Sequence, residues 1–264
     1  MDKLIVTAVE AAVLAGKQIL KVYESDHQVE IKDDQSPLTA ADKASNEEIN
    51  KALAVTDIPV ISEENKLLPY NTRKEWGTCW IVDPLDGTKE FIKKNGEFTV
   101  NIALVTDQKP VFGVIYVPVT GELFLGNVTD KKAYKFIATA VEEIPSMKEL
   151  SSFELISTVY DEDKIRVVGS RSHMNEDTEK YMSQLQQQYK EVEIVSKGSS
   201  LKFCLVAEGK ADLYPRFAPT MEWDTAAGQA ICEAAGFKVV DQKTGEPMLY
   251  NRENLLNNYF LVSR

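Results

Sequence analysis

The sequence predicts a layered α+β protein, also describable as α/β layered, built in two successive halves. Three observations carry this prediction. Apolar residues at helical spacing open the chain, short strands crowd the stretch between residues 59 and 125, and helices and strands alternate from about residue 166 to the end. The first half spans residues 1–150 and the second 151–264, with the acidic, weakly periodic stretch from Thr139 to Asp163 as the junction.

Taken in order, Ile5, Val9, Ala12, Ile19 and Val22 recur near the helical period, so a helix is expected from Asp2 to Tyr23, capped by Asp2. A second helix is expected from Ala40 to Leu53, after a polar loop ending in Ser36-Pro37. Strands are expected at Pro59 to Ser62, Cys79 to Asp83, Thr99 to Thr106, Val111 to Val117 and Glu122 to Leu125. The turns Asp107-Gln108 and Thr120-Gly121 make the last three an antiparallel meander. In the second half the expected strands are Arg166 to Ser170, Glu193 to Val195, Ala211 to Tyr214, Lys238 to Val240 and Tyr259 to Val262. The expected helices are Glu176 to Gln187, Ser200 to Glu208 and Asp224 to Ala235, the last closed by Gly236.

Composition excludes several classes of function. Thirty Lys and Arg against 41 Asp and Glu give a net charge of −11, which argues against a protein that coats nucleic acid through phosphate neutralisation. Hydrophobic and charged shares of 44% and 27% are those of a globular chain. The three cysteines, Cys79, Cys204 and Cys232, are odd in number and widely spaced, so no disulfide framework or Cys-x-x-Cys pair is expected and a reducing cytosol fits. Asp2 and Glu10 interrupt the apolar N-terminal stretch, and no small-residue cleavage site follows a basic start. It reads as a helix, not a signal peptide, and no stretch approaches the length of a membrane span. With only His27 and His173 present, any metal must be held by oxygen.

Four segments carry chemistry. Asp83-Pro84-Leu85-Asp86-Gly87-Thr88 follows an apolar strand, and its two carboxylates, with the Leu85 carbonyl between them, can converge on a hard cation; a polar β-turn explains the same residues equally well. Glu63-Glu64, after another strand, can add a ligand or be a solvated pair. Asp224, in Glu222-Trp223-Asp224-Thr225-Ala226-Ala227-Gly228, can be a ligand or an N-cap. Thr39 and Asp42 have the spacing of a capping box.

In this order, Ser36 to Asp42, Ser62-Glu63-Glu64, Asp83 to Thr88 and Trp223 to Gly228 resemble the inositol monophosphatase superfamily of Mg²⁺-dependent, lithium-sensitive phosphatases. The longer strings Asp83 to Phe91, Asn95 to Ala103, Gly198 to Gly209 and Leu213 to Arg216 are similar to its 3'(2'),5'-bisphosphate nucleotidase branch. The resemblance covers nearly the whole chain and is weakest from Lys131 to Lys164. It implies a five-layer αβαβα sugar-phosphatase fold with the site between the halves. It also implies two or three Mg²⁺ held by Glu63, Asp83, the Leu85 carbonyl, Asp86 and Asp224. Asp42 and Thr88, with Glu63 beside them, are then the catalytic residues, the first two orienting and deprotonating the attacking water, with no phosphoenzyme.

The same resemblance implies hydrolysis of adenosine 3',5'-bisphosphate to AMP and phosphate, and of its 5'-phosphosulfate analogue, in sulfur assimilation or nucleotide recycling. The neighbouring readings are an inositol or sugar-bisphosphate phosphatase and a non-catalytic nucleotide sensor. The phosphate under attack is expected near Glu63, Leu85, Asp86, Gly87, Thr88 and Asp224, where the Gly87-Thr88 amides suit its oxygens if a helix starts there. The rest of the nucleotide is expected against Ser170, His173, Ser199, Ser200, Lys202 and Arg216, the hydroxyls and cations suiting a 5'-phosphate. Expected partners are a small nucleotide bisphosphate, with no nucleic acid and no integral membrane segment, and the chain as monomer or homodimer. The expected location is the cytoplasm, with peripheral attachment to the inner face of the inner membrane implied by relatives alone.

Overall fold

The computed structural model describes residues 2–25, 29–31, 37–155, 163–169 and 175–264. Helix α1 (Asp2–Tyr23) is followed by a small antiparallel pair, β1 (Val29–Ile31) and β2 (Pro37–Thr39), that leads into α2 (Ala40–Leu53). Then come β3 (Val60–Ser62), the short α3 (Tyr70–Arg73), β4 (Thr78–Asp86), the short α4 (Thr88–Ile92), β5 (Thr99–Thr106), β6 (Lys109–Val117), β7 (Glu122–Asn127) and β8 (Lys132–Ile137). The second half holds β9 (Lys164–Gly169), α5 (Glu176–Gln188), β10 (Glu191–Ser196), α6 (Leu201–Ala207), β11 (Tyr214–Arg216), α7 (Glu222–Ala234), β12 (Lys238–Asp241) and β13 (Phe260–Ser263).

Strands β3 to β8 form one six-stranded sheet in chain order, antiparallel except for the parallel β3 and β4 pair. The parallel β9 and β10 pair and the antiparallel trio β11-β13-β12 form a second sheet surface, joined by a bridge between Val167 and Leu213. Helices α1 and α2 cover one face of the large sheet; α6 and α7 lie between the two sheets, and α5 packs outside β10. The layers are therefore αβαβα.

Strand alternation explains the sandwiching. In β4, Trp80 and Val82 face the core under α1 and α2, whereas Cys79 and Ile81 face the core around α6 and α7. In β5 and β6, Ile102, Leu104, Phe112 and Val114 join the first core and Ala103, Val105 and Ile115 the second. Buried on both faces, these strands read as nearly continuous apolar runs. The second core also takes in Phe203, Ile231, Tyr250 and Phe260, so it spans both halves of the chain. Helix α7 lies close on the sheet because Gly113 and Gly126 face it: a Cβ on Gly113 would meet the Ala227 carbonyl at 2.5 Å, and one on Gly126 would meet Ile231 Cα at 2.5 Å.

Both long N-terminal helices have their expected bounds, and the meander is present with a further strand. That strand, β8, was not anticipated, because Lys132, Tyr134 and Lys135 make it only half-buried. Asp2 lies in the first turn of α1 instead of preceding it. The strand expected at Ala211 to Tyr214 is shifted to Tyr214–Arg216, because the amides of Asp212 and Leu213 turn to the Arg166 carbonyl while Tyr214 to Arg216 pair with β13. Helix α7 begins two residues before the expected Asp224. Among the described residues of the expected junction, short 3-10 turns at Val141–Glu143 and Leu150–Phe153 lead to Glu154, which bridges back to Tyr134. No helix of the described residues is long and apolar enough to cross a membrane.

Candidate active site

The site forms where β3 and β4 end beside the starts of α2 and α7. Between Asp83, opposite Asn101, and Asp86, opposite Thr99, β4 carries three steps against two on β5. This bulge breaks the alternation that would send two side chains three positions apart to opposite faces. Asp83 Oδ1 accepts from the Leu85 amide at 3.0 Å, which closes the turn. Ser45 Oγ donates to the Pro84 carbonyl at 2.6 Å and ties the turn to α2. Gly87, at φ 95°, reverses the chain into α4, and a Cβ there would also press on the Glu97 carbonyl at 3.1 Å.

Asp42 and Asp224 are positioned by the same device. Each is the third residue of its helix, and one oxygen of each accepts the amide hydrogen of the residue before the helix: Thr39 to Asp42 Oδ2 at 2.7 Å, and Met221 to Asp224 Oδ2 at 2.7 Å. Asp42 thus realises the expected capping box, with Thr39 Oγ1 accepting from the Ala41 amide at 3.1 Å and donating to Asp42 Oδ2 at 2.6 Å. Asp224 is not the N-cap itself; Met221 holds that position. The second oxygen of Asp42 accepts from Thr88 Oγ1 at 3.2 Å, and the same hydroxyl lies 3.4 Å from the Leu85 carbonyl.

Carboxylate oxygens of Glu63, Asp83 and Asp224 lie within 4.8 Å of one another. Burial, then the charges of Glu63, Asp86 and Asp224, push the Asp83 carboxyl well above its usual range. Burial and the nearby Asp86 push Asp224 up to about 8. With Asp83 buried and Glu63, Asp86 and Asp224 half-buried beside it, these acids repel one another unless a cation joins them. The donors are all oxygen, the set a hard divalent ion takes, so these residues fit Mg²⁺.

Beside the carboxylates opens a cleft of about 350 Å³, lined by Asp86, Gly87, Ser199, Ser200, Lys202, Arg216 and Asp224. Its rim adds Lys89, Lys93 and Lys197, three cations to which sequence reasoning gave no role. Lys202 is 8% exposed and donates to the Ser199 carbonyl at 2.6 Å, so it is not the solvated lysine of an ordinary helix start. Burial, with the Arg216 guanidinium adding to it, pulls its ammonium down to about 8. Ser199 Oγ and Arg216 Nε are buried without a hydrogen-bond partner. Ser200 differs: its hydroxyl donates to Asp86 Oδ2 at 2.6 Å and accepts from Asn101 Nδ2 at 2.9 Å. Asn101 was also missed, although an Asn inside the buried apolar strand Thr99–Thr106 is a signal of its own.

The structure thus brings together Asp42, Glu63, Asp83, Leu85, Asp86, Gly87, Thr88 and Asp224 around one centre, with Ser199, Ser200, Lys202 and Arg216 on the adjoining cleft. Ser170 and His173 lie outside the described residues. Cys79, Cys204 and Cys232 are all buried free thiols.

The sequence profile of the inositol monophosphatase family matches residues 1–262. The chain is 46% identical over 254 residues to the 3'(2'),5'-bisphosphate nucleotidase CysQ of Salmonella typhimurium, covering 94% of this chain and 95% of that protein. The crystal structure of CysQ from Bacteroides thetaiotaomicron, a bacterial member of the inositol monophosphatase family, matches with a TM-score of 0.89 and 47% identity, over 100% of this chain and 97% of that one. The inositol monophosphatase of Thermotoga maritima shares the fold, with a TM-score of 0.74 at 19% identity over 100% of this chain and 92% of that one.

Proposed function

The chain belongs to the inositol monophosphatase family, and from that footing we propose that it is a Mg²⁺-dependent phosphatase acting on the 3'-phosphate of adenosine 3',5'-bisphosphate. The products are AMP and phosphate, and the 5'-phosphosulfate analogue is a second substrate. The observation that carries this reading is the set of polar and cationic side chains lining the cleft next to the carboxylate centre, Ser199, Lys202 and Arg216, of which Ser199 Oγ and Arg216 Nε have no hydrogen-bond partner. An inositol monophosphate has one phosphate, and the centre alone suffices for it. A nucleotide with phosphates on both ribose positions uses the centre and the cleft together. The bisphosphate-nucleotidase relatives support the same choice.

When bound, Mg²⁺ supplies neutralisation of phosphate charge and acidification of water. The ligands are Glu63, Asp83, Asp86, Asp224 and the Leu85 carbonyl. The protein's own groups do the rest. Thr88 Oγ1 takes the proton of the attacking water while its own passes to Asp42 Oδ1, 3.2 Å away. The water oxygen bonds to phosphorus as the bond to the ribose 3'-oxygen breaks, and that oxygen leaves with a proton from solvent. The Gly87 and Thr88 amides, at the chain reversal into α4, steady the phosphate oxygens. The acceptor is water, so no phosphoenzyme forms. Ser199, Lys202 and Arg216 hold the 5'-phosphate.

The deciding experiment compares turnover of adenosine 3',5'-bisphosphate and inositol 1-phosphate, each with Mg²⁺ and with chelator. The expected result is Mg²⁺-dependent phosphate release with a clear preference for the bisphosphate. A preference for inositol phosphate would overturn the substrate assignment, and nucleotide binding without phosphate release would make the protein a sensor.

A further inference from the structure

Ser199 and Ser200 are adjacent hydroxyls in one loop, and both were expected on a phosphate. Their surroundings separate them. Ser199 Oγ has no partner. Ser200 is 3% exposed, and its Oγ is engaged in three directions: it accepts from Asn101 Nδ2 at 2.9 Å, lies 2.6 Å from Asp86 Oδ2, and lies 3.0 Å from the Asp224 carbonyl. The hydroxyl has a single proton, and the shorter, charge-assisted bond to Asp86 takes it.

The chain of donors continues behind it. Thr99 Oγ1 donates to Asn101 Oδ1 at 2.9 Å, which turns the amide so that its nitrogen faces Ser200. Thr99, Asn101 and Ser200 thus pass one direction of donation to a single carboxylate oxygen. Three of the participants come from separate elements: Asn101 from β5, Asp86 from the end of β4, and Ser200 from the loop entering α6. The Asp224 carbonyl of α7 lies beside the same hydroxyl without receiving its proton. Asp86 and Asp224 reach the centre from opposite halves of the chain, and the Ser200 hydroxyl touches both residues.

We infer that Ser200, held by Asn101, is a positioning residue that fixes the Asp86 carboxylate for Mg²⁺, and that it does not contact the 5'-phosphate. Its hydroxyl donates to Asp86 Oδ2, which Asn101 Nδ2 also approaches at 3.5 Å, and so orients the carboxylate that would help hold the ion. This inference rests on the Mg²⁺ reading of the carboxylate centre.

The test is calorimetric titration of the metal-free full-length protein with Mg²⁺ alone, well below its melting temperature, for wild type, Ser200→Ala, Ser200→Thr and Asn101→Leu. Loss of a group that orients a metal ligand costs about 10- to 100-fold in affinity, so Ser200→Ala is expected to bind Mg²⁺ about 10-fold more weakly. Asn101→Leu is expected to show a smaller loss, and Ser200→Thr to restore binding. In steady-state assays Ser200→Ala is expected to need more Mg²⁺, to regain kcat at saturating Mg²⁺, and to keep its KM for adenosine 3',5'-bisphosphate there. Unchanged Mg²⁺ affinity with a lowered melting temperature would reduce Ser200 to a structural role and overturn the inference. So would a raised bisphosphate KM at saturating Mg²⁺, which would return Ser200 to the phosphate. Failure of the wild type to bind Mg²⁺ would overturn the reading of the centre and this inference with it; binding by the wild type and equal binding by Ser200→Ala would overturn the inference alone.

Discussion

Asp42 uses its two oxygens for different tasks: Oδ2 holds the start of α2 and Oδ1 faces Thr88. The cap and the contact with Thr88 are therefore one placement, and the capping box that the sequence displays at Thr39 and Asp42 does not compete with the proposed catalytic role. Thr88→Ala removes the hydroxyl proposed to relay the proton and leaves the carboxylates in place. It is expected to lower kcat by about 10²- to 10⁴-fold with Mg²⁺ binding retained, whereas Asp86→Asn should lose Mg²⁺ binding and activity together; calorimetry beside phosphate release separates the two. Lys202 gives a pH signature. With its ammonium pulled down to about 8, it is charged below that pH and loses its proton above it. The bisphosphate KM is therefore expected to be flat below pH 8 and to rise above it, and Lys202→Ala should raise KM at pH 7 and abolish the rise. A 3'-monophosphate, which lacks the 5'-group, should show neither effect. The same depression makes the unfolded chain the better proton binder between about pH 8 and the ordinary lysine value of 10.5, so this residue's cost to folding shrinks as pH rises through that window.

Among the elements, the start of α7 is placed by what lies under the helix. Gly113 on β6 and Gly126 on β7 let it approach the sheet closely enough for Asp224 to meet Glu63 and Asp83. Gly113→Ala would put a methyl group 2.5 Å from the Ala227 carbonyl, and backbone must move to relieve it. Overpacking of this kind costs about 1–3 kcal/mol, so thermal unfolding should report a lowered stability of that size, and Mg²⁺ affinity should fall as α7 lifts away. The helices and buried strands were readable in the sequence because their periods are written in apolar residues, as in Ile5, Val9, Ala12 and Ile19 of α1 or Val100, Ile102 and Leu104 of β5. Strand β8 and helix α4 were not. The first alternates lysines with half-buried aromatics and the second is a single turn begun by Gly87, so neither leaves a periodic trace. Lys89 and Lys93 on the cleft rim were likewise given no role from the sequence.

Across the whole molecule, a net charge of −11 is compatible with an anionic substrate because some of the acidic residues are gathered where a cation would be held. In the proposed reading, Glu63, Asp83, Asp86 and Asp224 turn part of that acidity into metal affinity, while Lys202 and Arg216 meet the rest of the nucleotide. Chelation should therefore sharply weaken nucleotide binding, measurable by calorimetric titration with AMP and with adenosine bisphosphate in the presence and absence of EDTA. It should also destabilise the fold, since binding to the native state alone at about 100 times Kd adds ~2.7 kcal/mol; a melting temperature that ignores Mg²⁺ would contradict the assignment. By itself the sequence determined the layered class, the long helices and the meander, because periodicity and short turn motifs are local; the acids of the centre were ambiguous one by one and stood out only through the family resemblance of the four segments together. Only the tertiary structure decided what those acids face. The bulge in β4 brings Asp86 round to Asp83, and close packing of α7 delivers Asp224. The bonds from Asn101 separate Ser200 from Ser199, two neighbours that look alike in the chain. The last two depend on contacts between residues some 100 positions apart, and no local pattern encodes a partner at that distance.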